Sequence, residues 1–224
     1  MLTTSIDPHA AEERPRLLDT VDRVSEMCFG LFMALTFVGA VSAVAAPADA
    51  GRVMFQTALG CNLAWGLVDA VMYLVRTLTE RGRKLSLVKA VRASDPSDGI
   101  ARLREALSPA LRTLVADTEL EAMRSRIARS TDWPEKPALR GQDFLAAAAI
   151  FGIVVLATFP VALPFILIHE VPAALLVSRV LTIVMLFGAG IALGRHAGFG
   201  GWIAGVAMTV LGIALTVAII LLGG

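Results

Sequence analysis

The sequence predicts an all-α integral membrane protein: five transmembrane helices with a helical cytoplasmic insert between the second and third. Three observations predict it. Hydrophobic residues make up 56% of the 224, against about 45–50% in an ordinary globular chain, and the mean hydropathy is +0.72. These residues gather into blocks of about 20, the length a bilayer requires. Between the second and third blocks, Arg76 to Arg140 carries fourteen of the twenty Lys and Arg, with nine acids. The net charge of +1 points to no partner; the distribution of charge is what carries information.

Residues 1–26 are polar and form an N-terminal amphipathic segment. Asp7-Pro8 reads as a helix start, with Glu12 and Glu13 in the first turns and Pro15 as a bend. Leu17, Leu18, Val21 and Val24 follow at helical spacing, as expected of a segment at the membrane surface. Met27 to Ala46 is the first span. Its SAVAAPADA ending looks like a signal-peptide cleavage site, but the run is longer than the 7–15 residues of a signal and its leader carries both signs of charge. An uncleaved span is therefore expected. Pro47, Asp49, Gly51 and Arg52 form a tight connection to the second span, Val53 to Val75, and the pair of spans occupies 27–76.

The insert is expected over 77–141 as two or three short helices. Ile100, Leu103, Leu107, Leu111 and Leu114 recur at helical steps. Asp95-Pro96 and Ser108-Pro109 are start signals, and Thr118 with Glu121 has capping-box spacing. Trp133-Pro134 and Pro137 close the insert. The remaining spans, within 142–224, are Phe144–Ile168, Val171–Leu193 and Trp202–Leu222. Pro160 and Pro164 should kink the third, with neighbouring helices compensating the freed carbonyls. Gly190 with Gly194, and Gly201 with Gly205, have the small-xxx-small spacing of close helix pairs. Basic residues set the orientation: Arg14, Arg16, Arg23, the long insert and Arg195 on one side, only Arg52 and the His169-Glu170 turn on the other. The N-terminus is then cytoplasmic and the C-terminus opposite.

Asp69 is the only acid well inside an apolar run. A charge there costs roughly 2.5–3.5 kcal/mol on insertion scales, which makes it a functional candidate. Gln56 and Asn62 share its helix. Asn62 and Asp69 are seven apart, on one face and about 10 Å apart in rise. Two readings of Asp69 stand side by side. It handles an ion or proton, or it pairs with Arg179, the only base well inside a span, at a depth differing by under about 10 Å in a ~30 Å core. Cys28 and Cys61 read as small buried hydrophobes; two such residues make neither a disulfide framework nor a zinc site. His196 reads as a solvated residue of a connection, and His169-Glu170 as a turn. No nucleophile-plus-base set, phosphate loop or HExxH pattern is present, so no enzyme is expected. The basic insert lacks aromatic interleaving, so nucleic acid is not expected; basic loops of this kind set topology and touch anionic lipid.

Local sequence and the order of parts resemble the vacuolar iron transporter family. FGLFMALTFVGAV (29–41) resembles its first-helix pattern, and GCNLAWGLVDAVMYL (60–74) its second. PVALPF (160–165) is similar to its PLxPF ending of the third helix, and SRVLTIVMLFGAGIALGR with GWIAGVAMTVLGIALT to its closing pair. The resemblance implies a homodimer in a bacterial inner membrane that exports a divalent metal, Fe²⁺ or Mn²⁺, as transported substrate with no tightly bound cofactor. It implies a pathway lined by Met33 and Asn62, to which the residues themselves add Asp69 and Gln56, and metal-loading acids in the insert, here Glu105, Asp117, Glu119 and Glu121. The departures are specific. The family's first-helix Asp falls on Met33, its second-helix Glu on Asn62 and its Met on Ala70. The insert is net basic rather than acidic, and Glu119 and Glu121, two apart, do not share a helical face. A second expectation follows: a relative that has lost transport and acts as a membrane scaffold or regulatory partner through its basic insert.

Overall fold

The computed structural model describes residues 20–42, 50–130, 133–198 and 200–221. They form helices α1 (Thr20–Ser42), α2 (Ala50–Ala93), α3 (Pro96–Ala106), α4 (Pro109–Leu114), α5 (Asp117–Arg129), α6 (Gly141–Ala162), α7 (Pro164–Leu167), α8 (Val171–Ala197) and α9 (Gly201–Leu221), with no strand among the described residues. Among the described residues, four stretches are long and apolar enough to cross a membrane: Gly51–Ala93, Gly141–Leu167, Val171–Ala197 and Gly201–Leu221. The first expected span, Met27 to Ala46, is covered by α1 as far as Ser42, and its end lies outside the described residues. So do the expected start at Asp7-Pro8, Glu12, Glu13, the bend at Pro15, Leu17, Leu18, and Pro47 and Asp49 of the connection. Gly51 and Arg52, expected in that connection, belong instead to the first turn of α2.

The chain divides into two compact units, Met1–Val71 with Phe144–Gly224, and Met72–Asp143. In the first, α1 and α8 share a core of Cys28, Leu31, Ala34, Leu186 and Ala189, joined by Val161 of α6. A second cluster joins Met54 and Ala58 of α2 to Ala162, Phe165 and Ala174. Helices α8 and α9 form a tight hairpin. Gly198, at φ 75°, caps α8 in the left-handed region that favours glycine, donating its N–H to the Gly194 carbonyl. The four expected glycines lie in this interface. A Cβ on Gly190 would fall 2.6 Å from the Ala204 carbonyl oxygen, and one on Gly201 2.8 Å from that of Ile191. The backbones meet because no side chain separates them. Arg195 and His196, expected in a connection, form the exposed last turn of α8.

The second unit begins partway along α2, which continues as one 44-residue helix well beyond Val75. Arg76 ends the apolar run but not the helix, because Lys, Arg, Glu and Leu are good helix formers. The helix stops before Asp95-Pro96, where the ring of Pro96 disfavours helical backbone at Asp95. Val91, Leu103 and Leu120 form the buried core, with Leu87, Ile100, Leu107, Val115 and Ile127 packed around it. The leucine series divides at Leu107, since Pro109 opens the separate helix α4. Leu114 is consequently 76% exposed and outside the core. The cap of α5 also differs from expectation. Ala116 is the N-cap, and the Glu119 carboxylate at N3 accepts the Ala116 N–H at 2.8 Å, so Thr118 and Glu121 form no box.

Candidate functional site

Helix α2 carries Met54, Ala58, Asn62, Gly66 and Ala70 at four-residue steps, a stripe buried along its whole length. Asn62 is fully buried within it. Its Nδ2 donates to the Gly30 carbonyl of α1 at 3.0 Å and to the Thr158 hydroxyl of α6 at 2.5 Å. Thr158 spends its own hydrogen on the Val154 carbonyl at 2.9 Å, so toward Asn62 it can only accept. Both partners therefore require the nitrogen, and this fixes the amide orientation. Oδ1 is left pointing the other way, shielded from solvent and with no hydrogen-bond donor among the described residues. An unmet buried acceptor of this kind costs about 1–3 kcal/mol.

The junction is narrow. A Cβ on Gly30 would lie 3.1 Å from the Val154 carbonyl oxygen, a tight contact that glycine avoids where α1 approaches α6. Beside it the Trp65 and Phe29 rings stack, with centroids 5.8 Å apart and planes within 5°. The Trp65 Nε1 is buried, with no hydrogen-bond partner among the described residues. Asp69 lies two helical turns beyond Asn62, half-buried, with its Oδ2 shielded from solvent. Ala70, where the resemblance expects a methionine, is buried and offers only a methyl. Met33 is half-buried on α1, its carbonyl accepting the Thr36 hydroxyl at 2.8 Å. Gln56 is exposed and borders a groove of about 440 Å³ with Arg52, Phe55, Phe165 and Ile166. Arg179 is half-buried on α8 and takes part in no ion pair or hydrogen bond among the described residues.

Pro160 lies inside α6, which ends at Ala162; Pro164 then opens the short α7. The carbonyl of Val161, just before the break, is met by the Ser178 hydroxyl of α8 at 2.7 Å. Ser178 and Thr182 are fully buried, and the Thr182 hydroxyl donates to the Ser178 carbonyl at 2.8 Å. A neighbouring helix thus supplies the donor that the broken helix lost. Sequence reasoning missed Gly30, Thr158, Ser178 and Thr182 as participants. Ser and Thr inside apolar runs were the available signal, because such hydroxyls bond across membrane helices.

The four insert acids do not converge. Asp117 pairs with Arg104, Glu119 caps α5, and Glu121 takes a bidentate pair from Arg124 at 2.7 and 2.8 Å. The Arg124 guanidinium, helped by the Ser125 hydroxyl, pulls the Glu121 carboxyl down to about 2. Glu105 is exposed at the end of α3. No group of three or more His, Cys, Asp and Glu is placed to hold a metal ion among the described residues. The best-formed carboxylate is one the sequence reading passed over. Asp143 accepts both guanidinium nitrogens of Arg81, at 2.6 and 2.8 Å, and the Arg140 N–H at 2.6 Å. An acid three residues inside a helix start was the sequence signal for it.

No protein-family model matches the chain, and no curated protein matches it either.

Proposed function

We propose that the chain is a divergent member of the vacuolar iron transporter type, a five-span homodimer of a bacterial inner membrane. On this reading α1 is the first span, the N-terminus and the insert 77–141 are cytoplasmic, and the C-terminus is on the opposite side. It moves a divalent cation, Fe²⁺ or Mn²⁺, out of the cytoplasm along the Asn62–Asp69 face of α2, with protons coupled through Asp69. The observation that carries the reading is the Asn62 carbonyl oxygen: buried, held in one direction by two hydrogen bonds from its own amide, and met by no donor among the described residues. A neutral oxygen preset in this way is a ligand for a hard cation. Asp69, on the same face, supplies the charge. Met33 and Gln56 are the remaining pathway residues of this reading.

A second reading is a transport-inactive relative that serves as a membrane scaffold or regulatory partner through its basic insert. Ala70 in place of a thioether, and three of the four insert acids already bonded within the protein, favour it. Metal flux into proteoliposomes separates the two. The transport reading expects Fe²⁺ or Mn²⁺ to move against an opposing proton gradient, and both Asp69→Asn and Asn62→Leu to slow it at least tenfold. No flux of either ion in the wild type refutes transport of those ions. Full flux in Asp69→Asn makes Asp69 structural.

A further inference from the structure

Within the second unit, a groove of about 390 Å³ lies between the α2 extension and the segment 133–140. Arg81, Lys84, Trp133, Lys136, Pro137 and Arg140 border it, with buried Leu85 among the lining residues. No acid lines it among the described residues. Of its four cations, Arg81 is already balanced by Asp143. The side chains of Lys84, Lys136 and Arg140 make no hydrogen bond or ion pair among the described residues. Lys84, Lys136 and Arg140 bring like charge to one groove, Arg140 being partly offset by the Asp143 carboxylate, and an anion between them relieves their mutual repulsion. The neighbouring groove of about 620 Å³, which Lys84 also borders, is different: Glu80 and Glu105 stand there beside Arg83 and Arg102. Its two acids offset two of its three cations, so it selects for an anion far less than the acid-free groove does.

The basic groove is preformed. Lys89 Nζ donates to the Glu135 carbonyl at 2.9 Å, and Arg81 to the Ala138 carbonyl at 2.7 Å, pinning the segment to α2 at two points. Pro134 and Pro137 stiffen the stretch between them. Trp133 is 41% exposed, a ring with an apolar body and a polar edge beside the cations. Arg140 immediately precedes Gly141, the first residue of the apolar stretch Gly141–Leu167. Basic residues and Trp flanking a membrane helix belong at the headgroup level.

We propose that this groove binds a phosphate group, that of an anionic phospholipid headgroup held by Lys84, Lys136 and Arg140 against the Trp133 ring. A phosphate offers several oxygens to cations arriving from different directions, and the Arg fork matches two of them. Leu85 and Trp133 favour a lipid over a free anion, because inorganic phosphate has nothing to place against apolar surface.

The test uses the full chain in a nonionic detergent with Trp65→Phe and Trp202→Phe, leaving Trp133 as the sole indole of the three. Its emission is titrated with dihexanoyl phosphatidylglycerol, dihexanoyl phosphatidylcholine and inorganic phosphate. The expected result is saturable binding of phosphatidylglycerol, at least tenfold tighter than phosphatidylcholine, and competition by phosphate. The variant K84Q/K136Q/R140Q should weaken phosphatidylglycerol by about fivefold per cation, on the order of a hundredfold together. Inorganic phosphate binding as tightly as the lipid would overturn the lipid source while leaving the phosphate chemistry standing. Equal affinity for the two lipids, or unchanged affinity in the triple variant, overturns the proposal. Should that variant misfold, K136Q alone, at an exposed position, is expected to show the fivefold loss, and its absence counts equally against the site.

Discussion

Replacing Asp143 with alanine deletes three hydrogen bonds at one carboxylate: two from the Arg81 guanidinium and one from the Arg140 N–H. The Asp143 side chain is 8% exposed and that of Arg81 33%. Breaking a fully buried pair by removing one partner costs about 3–5 kcal/mol, because a charge is left without its counter-charge. Water reaches one third of Arg81, so the loss from the pair falls to about 2–3 kcal/mol. Losing a carboxylate in the first turn of α6 adds about 0.3–1 kcal/mol. The total is about 2.5–4 kcal/mol, enough to matter against the usual marginal stability. Asp143→Asn keeps an acceptor for Arg140 but drops the charge, and should lose about half as much. Thermal unfolding in detergent, with hydrogen exchange of the amides from Ala138 to Asp143, measures the loss. A variant as stable as wild type would refute the reasoning.

Three further outcomes are expected. Arg124→Ala should return the Glu121 carboxyl from about 2 toward the ordinary carboxylate range, read by NMR titration; an unmoved midpoint means Arg124 is not the cause. Ser178→Ala leaves the Val161 carbonyl at the α6 break without its donor, and should cost about 0.6–1.7 kcal/mol, the range of hydrogen bonds between membrane helices. An unfolding titration in mixed micelles checks this, and a neutral result would mean that the carbonyl finds another donor. Gly190→Val places a branched side chain where even a Cβ would fall 2.6 Å from the Ala204 carbonyl oxygen. It should destabilise the α8–α9 hairpin by about 1–3 kcal/mol, whereas the same change at Gly188, where a Cβ meets nothing within 4 Å, should not.

The apolar blocks were legible because a bilayer demands length and continuity, which composition displays directly. Boundaries were less legible, and for a physical reason. Arg76 marks where apolar character ends, yet hydrogen bonding in α2 is indifferent to side-chain charge and runs on to Ala93. The glycines at 190, 194, 201 and 205 could be read because close approach leaves a local spacing. The Asn62 junction could not. Its partners are 32 and 96 residues away in sequence, and no local pattern reports which backbone carbonyl a buried amide will face. Asp143 was overlooked for a similar reason: its partner Arg81 is 62 residues distant.

That junction also bears on the glutamate that the resemblance to the vacuolar iron transporter family leads one to expect at position 62, where this chain has asparagine. The Gly30 carbonyl and the Thr158 hydroxyl, its own hydrogen spent on Val154, are both acceptors. A carboxylate between them would meet two repulsive oxygens; an amide meets two partners. The surroundings are therefore matched to asparagine, and Asn62→Glu should destabilise the fold unless the acid stays protonated or a cation enters. On the transport reading this moves the charge requirement elsewhere. One Asp69 neutralises only half of a divalent ion, and Asn62 contributes an oxygen without charge. A homodimer that brings two copies of Asp69 to one path would supply the missing charge, whereas a single protomer suits a monovalent ion or a proton. Measuring flux for Na⁺ and H⁺ beside Fe²⁺ and Mn²⁺ in the same vesicles, with oligomeric state determined in parallel, distinguishes these cases. A monomer that still carries Fe²⁺ would contradict the charge argument outright.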